Sequence, residues 1–223
     1  MKIAVIYTGT SSIPQVEKEL KSAVNCENLS IMIYADPTII QEAIDCGQVP
    51  PSAAKRMIKM YIDAVTAGAD IVYNICSSVG DIADTMQNAF CSMGVPFIRV
   101  DEGMAIHAIE CGKRIGVLAT LKTTLNPTKN LLRRCAEAMG VEIEIVDALA
   151  DGVYAKSGEE VEQILSETAC RISDRVDVIV LAQASMAICQ EKIAKATGKI
   201  VLSSPAFGAA EVAKAINNLK CKG

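Results

Sequence analysis

The run Lys2-Ile3-Ala4-Val5-Ile6-Tyr7, closed by Thr8-Gly9-Thr10-Ser11-Ser12, has a second copy in Arg114-Ile115-Gly116-Val117-Leu118-Ala119, closed by Thr120-Leu121-Lys122-Thr123-Thr124. Each is a short apolar segment followed by a hydroxyl-rich turn. That is the pattern of a strand buried on both faces that ends where a helix begins. Working outward from these two runs, strands are expected at Ser30–Tyr34, Asp70–Ile75 and Val95–Val100, and again at Glu142–Val146, Asp177–Ala182 and Lys199–Leu202. Ile3 to Ile31 is 28 residues and Ile115 to Ile143 is also 28, while Ile3 to Asp70 is 67 and Ile115 to Asp177 is 62. Helical spacing fills the gaps at Pro14–Val24, Ala53–Ala67, about Ile82 to Met93, and Gly103–Cys111.

Strands that alternate with helices form parallel sheets with right-handed crossovers. The expected fold is therefore α/β, with two pseudo-symmetric doubly wound units. Each carries a four-stranded parallel sheet, and the active site lies in the cleft between them. Residues 1–101 make the first unit and residues 102–204 the second. A C-terminal helix within about 205–223, centred on Ala209–Leu219, is expected to return to the first. In open sheets of this kind ligands sit beyond the carboxyl ends of the strands.

Composition narrows the function. The chain has 223 residues, 51% hydrophobic and 22% charged, so it is expected to fold rather than stay disordered. A net charge of -4, no basic run, no Trp and 4% aromatics argue against nucleic acid. No stretch reaches the roughly 20 apolar residues of a membrane span, and the first apolar run is too short for a secretory leader, so a cytoplasmic location is expected. The nine cysteines form no CxxC pair, which gives no support for a structural metal; most read as buried hydrophobes. GxGxxG and GxxxxGK[ST] are absent, so a nucleotide is not favoured.

The strand-end loops carry the chemistry. They hold Thr8 and Ser11, Asn74-Ile75-Cys76-Ser77-Ser78, Thr120, Thr123 and Thr124, and Ala182-Gln183-Ala184-Ser185-Met186. Hydroxyls and free N–H groups at helix starts suit a small carboxylate. Cys76 stands apart from the other cysteines because it falls at a strand end just before a helix start, a place expected to favour its thiolate. A buried, inert thiol is the plainer alternative.

These features together resemble the aspartate/glutamate/hydantoin racemase superfamily over essentially the full length. The resemblance rests on the paired halves, the thiol loop 74–78, the opening Ile115-Gly116-Val117-Leu118-Ala119-Thr120 and the mirrored loop 181–186. It implies a cofactor-independent enzyme, a homodimer, whose cysteine thiolate removes an α-proton while a thiol on the other face returns one. The first of these carries over to Cys76. Thr8, Ser11, Ser77, Ser78, Thr120, Thr123, Thr124 and Ser185 map to the groups that hold the substrate, and Asn74 belongs to the same loop set.

Aligning Asp70 with Asp177 sets Gln183 where the second thiol would stand. An amide has no proton-transfer chemistry near neutral pH. Gln183 either stabilises an oxyanion or merely caps a helix or orders water. Cys189, six residues on, is expected well inside the next helix. One-thiol chemistry, decarboxylation or cis–trans isomerisation, is the companion reading, and a non-catalytic acid binder stays open. Hydrolysis through Ser77 or Ser78 ranks last, without a GxSxG elbow. His107, the only histidine, is read as a packing or surface residue, and Asp101 and Glu102 as a helix-start charge pair, with approach to the cleft as the alternative. Asp151–Gly158 is either a cover over the cleft or a surface loop, and Asp45–Pro51 is its first-half equivalent.

Overall fold

A computed structural model describes the chain except residues 10, 11, 25–28, 155, 157, 222 and 223. The first unit runs β1 (Lys2–Tyr7), α1 (Ile13–Ala23), β2 (Ser30–Ala35), α2 (Pro37–Cys46), α3 (Pro51–Thr66), β3 (Ile71–Asn74), α4 (Gly80–Ser92) and β4 (Phe97–Arg99). After α5 (Glu102–Cys111) the plan repeats as β5 (Arg114–Ala119), α6 (Lys122–Met139), β6 (Glu144–Leu149), α7 (Glu159–Cys170), β7 (Val178–Leu181), α8 (Gln190–Thr197) and β8 (Ile200–Ser203). The chain closes with α9 (Ser204–Lys220).

Both sheets are parallel and share one order, β2-β1-β3-β4 and β6-β5-β7-β8. The strand order reverses between β1 and β3 and between β5 and β7. Loops leaving those strands diverge to opposite faces of the sheet and open a crevice. Thr8 and Cys76 follow the first pair of strands, and Thr120 and Gln183 follow the second.

The central strands are buried on both faces, as their unbroken apolar runs require. Ile3, Val5, Ile71 and Tyr73 pack with Val16 and Leu20 on one side, while Ala4, Ile6 and Val72 pack with Met57, Tyr61 and Phe90 on the other. Each large aliphatic side chain removed from water contributes roughly 1.5–3 kcal/mol. The symmetry extends to single bonds. Asp70 Oδ2 accepts from the Lys2 N–H at 2.7 Å, and Asp177 Oδ2 accepts from the Arg114 N–H at 2.9 Å.

The two fourth-strand helices are exchanged. Met104, Ala105, Ala108 and Ile109 of α5 join the core built on β5, β7 and β8. Ala209, Val212 and Ile216 of α9 join the core built on β1, β3 and β4. Each unit thus lends its last helix to the other.

Three sequence expectations need correction. The equal 28-residue spacing does not hold, because Ile3 pairs with Ile31 but Ile115 pairs with Ile145. Gly140 closes α6 at φ +66°, and Val141 and Ile143 then pack on the core from a linker before the strand begins. Their apolar character mimics a strand. Asp45 and Cys46 lie not in a break but in the last turn of α2, a helix with no counterpart among the described residues of the second unit. Asp36 caps it by accepting from the Thr38 N–H at 3.0 Å, Pro37 opens it, and Gly47 at φ +70° ends it. Cys189 lies at a helix junction and not well inside α8; it is the last residue of a 3₁₀ helix, Ala184–Cys189, that runs into α8, and it is buried in the core.

Candidate active site

A pocket of about 60 Å³ lies between the units at the two crevices. At roughly 10–15 Å³ per water position, it has room for several waters, a size that suits a small acid. The first unit contributes Tyr7, Thr8, Gly9, Ser12, Ile40 and the loop Ile75–Ser78. The second contributes Leu121, Thr124, Tyr154 and Gln183–Ser185. Among these described lining residues none is a Lys, Arg, His, Asp or Glu. Neutral hydroxyls, an amide and backbone N–H groups would therefore meet a bound carboxylate.

Cys76 leaves β3 in extended backbone (φ -93°, ψ 111°) and starts the 3₁₀ turn Ser77–Val79 that feeds α4. Burial pushes its thiol above the ordinary 9.0, against opposing hydrogen bonds from Thr8, from the Val79 and Ser78 backbone and from the Ser78 hydroxyl. The expectation of a thiolate-favouring site is thus corrected. Desolvation outweighs the N–H groups of the short turn and favours the protonated sulfur.

Gln183 occupies the equivalent place after β7. Ile3 pairs with Ile71 and Ile115 with Val178, so a shift of 107 residues carries Ile71 to Val178 and Cys76 to Gln183. Its backbone is likewise extended (φ -118°, ψ 135°), and its side chain makes no capping bond. Instead Oε1 accepts from the Thr120 N–H at 2.9 Å and Nε2 donates to Thr120 Oγ1. One amide hydrogen remains for the pocket.

Of the other expected residues, Thr8, Ser77, Ser78, Thr124 and Ser185 line the pocket together with Cys76 and Gln183. Ser11 lies outside the described residues. Three expected binders do not line it. Asn74 is buried beneath the thiol loop, where Nδ2 donates to the Cys76 carbonyl at 3.1 Å and Oδ1 accepts from the Tyr61 hydroxyl at 2.9 Å. Thr120 is engaged with Gln183 and faces a larger neighbouring cavity of about 630 Å³. Thr123 turns away because successive helical residues point about 100° apart. It faces a separate cavity behind Ser78, while Thr124 meets Ser78.

Sequence reasoning missed Ile40, which comes from the unforeseen α2, and gave no role to Tyr154 within the flagged loop 151–158. Tyr154 and Ile40 also line the larger cavity, so they stand between the two spaces. Burial, then the charge of Cys76, raises the Tyr154 phenol.

Asp101 does not line the pocket. It is fully buried and accepts two bonds from Arg99, at 3.0 and 2.9 Å; Arg99 also meets Asp84 at 2.7 Å and the Gly80 carbonyl at 3.1 Å. Burial alone would raise the Asp101 carboxyl, but the guanidinium holds it below its ordinary value. The cluster anchors the start of α4 beneath the thiol loop. His107 is exposed, 3.1 Å from Glu110 and against the Phe207 ring. Among the described residues no His, Cys, Asp and Glu cluster could hold a metal ion, and no helix is long and apolar enough to cross a membrane.

The Asp/Glu/hydantoin racemase family model matches residues 3–212. The chain belongs to that family. Its family membership and structural neighbours place it among racemases and isomerases. A glutamate racemase from Francisella tularensis, solved with D-glutamate, is 18% identical at a TM-score of 0.69 over 98% of this chain and 82% of that one. An allantoin racemase from Klebsiella pneumoniae is 17% identical at 0.66, covering 99% and 89%. A maleate isomerase from Pseudomonas putida is 16% identical at 0.62, covering 97% and 93%. Identities this low show a shared fold. No curated protein sequence matches the chain.

Proposed function

We propose that this racemase-family chain is a cofactor-independent isomerase that moves a proton at the α carbon of a small carboxylic acid through Cys76. The observation that carries the reading is the placement of Cys76. It lines a neutral, acid-sized pocket at the point where strand order reverses, within a ring of hydroxyl and N–H donors. Thr8, Ser77, Ser78, Thr124 and Ser185 hold the carboxylate, and the spare Gln183 amide hydrogen meets the oxygen on which charge develops.

The hydrogen bonds from Thr8, Ser78 and Val79 lessen the cost of forming the Cys76 thiolate. As thiolate, the sulfur accepts the α-proton; as thiol, it returns one. The protonated resting state also favours a second reading, decarboxylation in which carbon dioxide leaves and Cys76 protonates the enediolate. Cytoplasmic location and a homodimer complete the proposal, on family likeness.

Proton NMR in deuterium oxide on a panel of amino acids, substituted malonates and hydantoins tests both readings. Loss of an α-proton signal supports isomerisation, and release of carbon dioxide supports decarboxylation. A chain that binds panel acids, with thermal stabilisation but neither change, is a binder and not this enzyme.

A further inference from the structure

We propose that Tyr154 is the second acid–base group of this site, facing Cys76 from the other side of the bound acid. The inference rests on the reading of Cys76 given above. Inversion at carbon needs a proton to leave one face and another to arrive on the opposite face. Gln183 stands at the position symmetric to Cys76 and cannot supply that proton.

The pocket's own lining narrows the choice. Its titratable side chains among the described residues are Cys76, Tyr7 and Tyr154. Tyr7 comes from β1 of the same unit as Cys76. Its hydroxyl is buried without a partner, and its ring packs among Val16 and Leu20. Tyr154 comes from the second unit, in the loop after β6, and lines the same pocket as the thiol loop of the first unit. It is half-buried. The phenol is raised by burial first and then by charge on Cys76, in keeping with two groups that line one pocket.

The steps balance without a co-reactant. Cys76 as thiolate takes the α-proton: the C–H bond breaks, an S–H bond forms, and the electron pair moves onto the carboxyl group as an enediolate. The Tyr154 O–H then breaks, a C–H bond forms on the other face, and a phenolate remains. The opposite enantiomer runs the sequence backwards from phenolate and thiol. One of the two groups is anionic and the other protonated in each working form.

The test compares wild type, Tyr154→Phe and Cys76→Ser on both enantiomers of aspartate, glutamate and 5-methylhydantoin in deuterium oxide. Chirality and α-proton loss are both followed. Expected for Tyr154→Phe, at an unchanged thermal midpoint, is a loss of inversion of at least about 100-fold, the scale of one general acid–base group. One enantiomer still exchanges its α-proton with retention, through Cys76, once the thiol has swapped its proton with solvent. Inversion by Tyr154→Phe within threefold of wild type overturns the proposal. If wild type inverts none of these acids, the Cys76 reading fails for them, and a phenolate absorbance titration decides on Tyr154. The titration of Tyr154, isolated by difference against Tyr154→Phe, moves to lower pH in Cys76→Ser if the two groups face each other. An unmoved midpoint overturns the proposal.

Discussion

The Ser78 and Thr124 hydroxyls meet at 2.7 Å, joining the thiol loop of one unit to the first turn of α6 in the other. Both side chains are buried and both line the pocket, so the bond ties the two units at the pocket wall. Thr124→Val keeps the shape and removes one partner. Chemical denaturation is expected to show a loss of about 1 kcal/mol, the net worth of such a bond. Turnover of any panel substrate should fall mainly through a higher KM, because Ser78 loses its fixed orientation while Cys76 remains. A variant with unchanged KM would show that the bond has no part in holding the acid.

Arg99 has 0% exposure and carries three bonds to two acids, Asp101 and Asp84. Arg99→Met leaves Asp101 charged and buried with its counter-charge gone. Breaking a buried pair in this way costs about 3–5 kcal/mol. Urea unfolding should show that loss, or the variant should fail to fold. Gly80→Ala is expected to destabilise by about 1–3 kcal/mol through the neighbouring contact, since a Cβ at residue 80 would run into the Arg99 guanidinium.

Stability should fall in alkali. Burial raises Cys76, Cys189, Tyr7, Tyr61 and Tyr73, and pushes Cys135 from 9.0 to about 11. The unfolded chain sheds these protons first, so the folded state loses ground as pH climbs from about 9 through the folded values. Asp101 and Asp177 shift the other way. Hydrogen bonds from Arg114 hold Asp177 at about 2, and the stability these carboxylates give is present above 3.8 and lost as pH falls toward 2. The thermal midpoint should be level from about pH 6 to 8, declining beyond 9. A midpoint that rises above pH 9 would contradict the burial assigned to these groups.

The fold is legible where sequence pattern and burial agree. The runs at Lys2–Tyr7 and Arg114–Ala119 are apolar throughout because parallel central strands are covered on both faces. The helix α2 was readable too, since Asp36-Pro37 opens it and Ile39, Ile40, Ala43 and Ile44 follow at helical spacing. The start of β6 was not, because Ile143 is apolar for packing rather than for pairing. Within the site, strand-end position led to Cys76 and Gln183, and β-pairing sets them in equivalent places. The direction of a side chain is harder to foresee. Asn74 and Thr123 sit one step of backbone geometry away from the pocket, and Tyr154 reaches it only through the packing of the two units.

The rate at which solvent deuterium enters the α position of an accepted acid, in wild type and in Cys76→Ala, tests the central claim most directly. Incorporation that drops by at least about 100-fold in a variant of unchanged thermal midpoint is the predicted result. Equal incorporation by the two proteins would show that the proton travels by another route.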